Sequence, residues 1–138
     1  MFHAALIKYL RGIDELAATV TEWNGRPAIF ADAVPETVEE PYIQVHIGAN
    51  SPTVDRVIIE STITIDYIGY GVSRTTADRA GEILEQYLDH KVLQSERLTD
   101  IRINMSSCGY VQQDDPRVVH YNMIFSARGT RRKWMTTL

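Results

Sequence analysis

The side chains able to act as bases, metal ligands or nucleophiles are His3, His46, His90, His120 and Cys108. Imidazole and thiolate could together hold zinc or make a nucleophile–base pair, but both uses need short, characteristic intervals or a shared cleft. No two of these residues stand at a zinc-like interval. His46 and His120 fall on strand-like segments, where a half-buried hydrogen-bonding role is expected. Cys108, in Ser106-Ser107-Cys108-Gly109, has no expected helix N-terminus or cation beside it to activate the thiol. It reads as a small, partly buried residue near a strand end.

Carboxylate pairs do no better. Glu60 and Asp66 share one strand face but lie roughly 20 Å apart along it, beyond the ~10 Å within which the two acids of a glycosidase work. Asp114-Asp115 sits in a turn, and Glu39-Glu40 precedes Pro41 in a loop. There is no G-x-S-x-G elbow and no P-loop, and Gly69-Tyr70-Gly71 lacks the rest of a dinucleotide fingerprint. Tyr42, Tyr67, Tyr70, Tyr110 and Tyr121 could form a stacking platform for single-stranded nucleic acid. Only Arg102 and Arg117 interleave with them, so packing at sheet faces is the better reading. No catalytic residue, metal site or cofactor is expected.

The elements that would position these groups are read from periodicity. Residues 3–21 carry an apolar stripe through Leu6, Leu10, Ile13, Ala17 and Val20, which predicts helix, divided near Gly12 with Asp14 as a cap. Ala28 to Ala31 predicts a short strand, and Asp32 to Pro41 an acidic surface loop. Tyr42 to Ala49 alternates, and Pro41 suits its entrance. Val57 to Tyr70 alternates over fourteen residues, with Val57, Ile59, Ile63, Ile65 and Tyr67 on one face. Asn50 to Asp55 joins the two as a hairpin.

At ~3.3 Å per residue the long strand would span roughly 46 Å, against a body about 37 Å across for a compact chain of this size. It must bend, bulge or project as half of an arm that finds its missing contacts on sister copies. Thr75 with Asp78 fits a capping box for a helix over Thr75 to His90. Ile101 to Tyr110 and Val118 to Arg128 predict two further strands, separated by Asp114-Asp115-Pro116. The sum is an α+β fold: a mainly antiparallel sheet, two helices packed on one face and a long β-hairpin arm.

At 138 residues with 44% hydrophobic and 23% charged side chains, one domain can build its own core. The expected division is a domain over 1–128 and a basic C-terminal extension over 129–138. One cysteine permits no intrachain disulfide, no apolar run approaches ~18 residues, and the N-terminus lacks signal-peptide features. An intracellular product, without membrane contact, is expected. The net charge of −4 hides an asymmetry. Setting aside Arg128, Arg131, Arg132 and Lys133 leaves ten basic against eighteen acidic residues, a balance that argues against general nucleic-acid affinity.

The segments HAALIKYLRGIDELAATV, AIFAD, EEPYIQVHIG, STITIDYIGYG and TTADRAGEILEQYLD, followed by a final strand, form a familiar order. Over about residues 3–128 the chain resembles the tail-completion, tail-terminator or tail-to-head joining proteins of long-tailed bacteriophages. The cues are the Pro41-Tyr42 strand entry, the Ile65-Asp66-Tyr67 strand core and the Ala77, Ala80, Leu84 helix face. The resemblance implies a protomer that forms a ring, typically a hexamer, at the head-proximal end of the tail tube. There it would end tube polymerisation and meet the head connector, with no catalytic residues to carry over. The C-terminal extension matches no common pattern.

On that reading the expected partners are copies of the chain itself, the tail-tube protein and the head-connector protein, with DNA passing through the lumen unbound. The chain would belong to the virion tail after assembly in the host cytoplasm. Glu60 and Asp66 are the candidate lumen residues. Tyr42, Tyr70, Arg128, Arg131, Arg132 and Lys133 are the candidate subunit or partner contacts. The alternatives are a small-ligand-binding or regulatory domain with an apolar pocket between helix and sheet, and an enzyme in which His46, His120 or Cys108 converge.

Overall fold

The computed structural model describes residues 2–48, 51–52 and 57–132. In chain order the elements are α1 (His3–Arg11), α2 (Asp14–Ala17), β1 (Glu22–Trp23), β2 (Arg26–Pro27), β3 (Ile29–Ala31), β4 (Tyr42–Ile47), β5 (Ser51–Pro52), β6 (Ile58–Tyr70), α3 (Arg74–Leu88), β7 (Val92–Leu93), β8 (Leu98–Tyr110) and β9 (Val118–Arg131). β1 and β2 make a small ribbon. The main sheet runs β3-β4-β6-β9-β8-β7, with β5 also on β6. Every pair in it is antiparallel except β3 with β4. The α+β class inferred from periodicity is the observed one.

Alternation along the strands decides what is buried. Ile59, Ile63, Ile65 and Tyr67 of β6 point into one core with Ile43 and Val45 of β4 and Met123 and Phe125 of β9. From the helices come Leu6, Leu10, Leu16, Ala77, Ala80, Ile83, Leu84 and Leu88. Each fully buried large aliphatic side chain contributes about 1.5–3 kcal/mol relative to exposure. Among the described residues, the opposite face of the sheet carries no helix.

Local details depart from the sequence reading. Among the described residues three helices form, the first stretch breaking at Gly12 and Ile13 where the sequence reading divided it. Ile13, not Asp14, takes the N-cap position, and it makes no side-chain cap bond. α3 is capped by Ser73, whose Oγ accepts from the Thr76 amide at 3.3 Å. Thr75 lies inside that helix, and the Asp78 carboxylate accepts instead from the Tyr110 hydroxyl. β7 is a short strand within what periodicity read as a connector.

The β4–β6 hairpin is in register from Tyr42 opposite Ile68 to Ile47 opposite Ile63. Asn50 and Asp55 of its connector lie outside the described residues. The long strand does not depend on sister copies for its ladder, which corrects that expectation. β9 pairs with it at every position from Ile58 to Tyr70, and β4 and β5 take stretches of its other edge. Its partner is equally long because β9 continues through Gly129 and Thr130 to Arg131. Residues 129–131, expected in the extension, therefore belong to the sheet. Irregularities in β8 between Thr99 and Arg102, and between Met105 and Ser107, add the local bend and twist that long strands in a small sheet require.

Candidate assembly surface

The helix-free face of the sheet is built by the polar half of each strand's alternation. Cross-strand register sets it out in rows. Arg102 of β8, Arg128 of β9 and Glu60 of β6 make the first, and Asn104, Ser126 and Thr62 the second. Ser107, Ile124, Thr64 and His46 follow, then Asn122, Asp66 and Gln44. A shallow cleft of about 410 Å³ lies over the first two rows.

Both candidate lumen residues are on this face, and both are matched by neighbours. Glu60 lies 3.7 Å from Arg128 Nε, with each side chain more than half exposed. Such an exposed pair contributes little to stability. Asp66 is more enclosed: its Oδ1 accepts from His120 Nε2 at 2.7 Å and from Asn122 Nδ2 at 2.8 Å. His120 Nδ1 in turn lies 3.1 Å from the Gln113 amide nitrogen, which donates to it. That contact assigns the ring proton to Nε2, facing Asp66. Arg102 and Arg128, opposite each other, supply the positive charge on the same face.

The candidate contact residues are dispersed. Tyr42 is half-buried at the start of β4, and burial beside Glu40 and Asp66 raises its pKa. Tyr70, 47% exposed at the end of β6, lies under the Arg117 guanidinium at 4.9 Å. That guanidinium also grips Asp115, whose carboxyl is held below its usual range by the side-chain and backbone bonds of Arg117. Arg128 belongs to the open face and Arg131 to the end of β9, where its amide donates to the Val57 carbonyl. Arg132 Nε donates to the Ser95 carbonyl at 2.7 Å. Lys133 lies outside the described residues.

The remaining histidines and tyrosines tie elements together. His46 Nδ1 is 2.6 Å from Asp32 Oδ1, and His3 Nε2 is 3.6 Å from the other oxygen. His46 and His120 thus engage different aspartates. Tyr67 donates to the Thr19 carbonyl at 2.7 Å from within the core, and burial pushes its hydroxyl up to about 12. Tyr110 packs on Tyr121 with ring centroids 4.9 Å apart, beneath the Arg74 guanidinium at 4.4 Å. Desolvation, then the Asp78 bond, pushes its hydroxyl up to about 12 as well. Cys108 is exposed rather than partly buried, and its bond to the Tyr121 hydroxyl raises that tyrosine's pKa further. Among the described residues, no three His, Cys, Asp or Glu side chains gather as a metal site.

No protein-family model matches the chain, and no curated protein sequence does. Solved structures do. A chain of the virion of a native gene transfer agent particle superposes with a TM-score of 0.70 at 19% identity, covering 93% of each chain. A second solved chain gives a TM-score of 0.61 at 14% identity, covering 92% of each. The likeness at such identities is one of fold, and it spans nearly the full length of all three chains.

Asn104 and Ser126 were not singled out by the sequence reading, and Arg102 only as a cation interleaved with the strand tyrosines. Alternation in the β8 and β9 segments marks them as polar-face residues, but only the bulged β8–β9 register brings them beside Thr62 and Glu60.

Proposed function

We propose that this chain is a structural protein of a phage-like particle, forming a ring at the head-proximal end of the tail tube. There it ends tube polymerisation and joins tail to head. The observation that carries this reading is the fold shared over 93% of both chains with a component of a gene transfer agent virion. The order of segments resembling tail-terminator proteins supports the narrower assignment to the tail end. In this role the chain works by contact alone, without catalysis, metal or cofactor. Its partners are its own copies, tail-tube and head-connector proteins, and it resides in the virion.

The open sheet face supports a lining role. Hydroxyl and amide side chains dominate it, and the carboxylates of Glu60 and Asp66 are balanced by Arg102 and Arg128, while His120 donates a hydrogen bond to Asp66. A balanced polar surface gives a passing phosphate backbone no cationic trap, because retention of DNA scales with the phosphates neutralised. The test is deletion of the gene from the element that encodes it, followed by electron microscopy of the lysate. Overlong tails, or heads and tails left apart, are expected. Normal tails joined normally to heads would overturn the reading.

A further inference from the structure

We propose that the acidic segment between β3 and β4 of one copy docks in a basic groove beside α1 of the next copy. This rests on the ring reading above and names the surfaces that would make the ring. The groove, about 810 Å³, lies between the exposed side of α1 and the turn that follows β7. Phe2, Ala4 and Ala5 give it an apolar lining, and Lys8, Arg97 and Arg132 stand around it with Glu96 as the one acid. Among the described residues, none of those three cations is paired with a carboxylate: Arg132 is bonded to the Ser95 carbonyl and the Gln94 amide oxygen instead.

The proposed occupant has the complementary character. Residues 32–41 contain Asp32, Glu36, Glu39 and Glu40 and no cation. Asp32 is taken by His3 and His46, which leaves Glu36, Glu39 and Glu40 exposed and, among the described residues, without a cationic partner. Val34 and Pro35 precede Glu36, and Val38 stands between Glu36 and Glu39; all three are half-buried side chains of the size an apolar groove takes. Both ends of the segment are anchored. The Asp32 amide donates to the Val45 carbonyl at 2.8 Å, and the Thr21 amide donates to the Pro41 carbonyl at 2.9 Å. Thr21 Oγ1 also donates to the Glu39 carbonyl at 2.7 Å. A segment already held in shape loses little entropy on docking. Opposite charge on groove and segment favours encounter and fixes the register of contact. Since the two surfaces differ, the contact is heterologous, the kind that closes into a ring when the rotation allows.

The test measures association of the purified chain by sedimentation velocity, in low salt and in about 1 M salt, where the screening length falls to about 3 Å. The wild type is expected to associate in low salt and to weaken in high salt. Lys8→Glu with Arg97→Glu, and separately Glu36→Lys with Glu39→Lys, should each raise the dissociation constant at least about tenfold. All four positions are exposed, so the melting temperature should be unchanged and loss of association is not loss of fold. A chain carrying all four substitutions, with the charges exchanged, should recover association. A monomeric wild type, variants that associate like the wild type, or no recovery in the exchanged chain overturns the proposal. If wild-type rings form and the variants keep them, this contact falls while the ring reading stands. A gene deletion without phenotype removes the tail reading independently.

Discussion

Asp66 and His120 meet across β6 and β9 with 2.7 Å between carboxylate oxygen and Nε2, and Asn122 donates to the same oxygen. Both side chains of the Asp66–His120 pair are only about one-fifth exposed. A surface acid, as the strand pattern alone describes Asp66, would be free to attract or repel. This one is an acceptor fixed in a small network on the open face.

Removing that acceptor leaves two donors in a largely enclosed place. Asp66→Ala should therefore cost about 1–3 kcal/mol, read as a lower urea midpoint at an unchanged slope. Asp66→Asn keeps an acceptor oxygen and should cost less. An Asp66→Ala midpoint equal to that of the wild type would show that the network contributes nothing.

Gly81 lets α3 approach β9 closely. A Cβ built there would overlap Tyr121 Cε2 and stand 3.1 Å from Cδ2, on a ring already packed at a tilt against Tyr110. Alanine favours helix by ~1 kcal/mol over glycine, but the overlap works against it and typically costs ~1–3 kcal/mol. Gly81→Ala should lower the melting temperature, and Gly81→Val should lower it more. The cost of Gly81→Ala should shrink in a Tyr121→Ala background, since no ring is then in the way. Equal costs in the two backgrounds would refute the steric account.

Tyr67 predicts an alkaline limit. Its hydroxyl titrates at about 12 in the folded chain against an ordinary value of 10.0. Below the ordinary value the proton is on in both states, and Tyr67 gives stability no slope. Between 10.0 and about 12 the unfolded chain releases the proton while the folded chain keeps it, so stability falls as pH rises. Tyr110, also raised to about 12, acts in the same direction. Urea midpoints of the wild type should decline through this window. Tyr67→Phe should decline less steeply, starting from a neutral-pH stability reduced by the loss of the bond to Thr19. Parallel declines would assign the loss to other groups.

The open face offers a test of DNA passage separate from ring assembly. Thr62→Lys with Ser126→Lys adds cations to its second row at exposed positions, where the two like charges, directly opposite, should lower stability by about 0.2–1 kcal/mol. Particles carrying the pair should assemble with normal tails yet deliver DNA more slowly, because added cations hold phosphate. Delivery at the wild-type rate from such particles would mean that this face does not line the channel.

Alternation and turn chemistry, which are local, were enough for the α+β class, the Tyr42–Tyr70 hairpin, α3 and the polar strand face that carries Glu60 and Asp66. Single residues decided several boundaries and could mislead. The last strand was expected to end at Arg128, yet Gly129 lies within β9 and lets it pass β8, where a Cβ would stand 3.0 Å from Ile101 Cγ1. β7 is two residues long, too short for any period to show. The lateral neighbours of β6, the row of Arg102, Arg128 and Glu60, and the pairing of Asp66 with a histidine 54 residues away were decided by tertiary structure alone. Spacing along a chain sets which face a side chain takes. Strand order and register, set by burial of the whole core, choose what stands beside it.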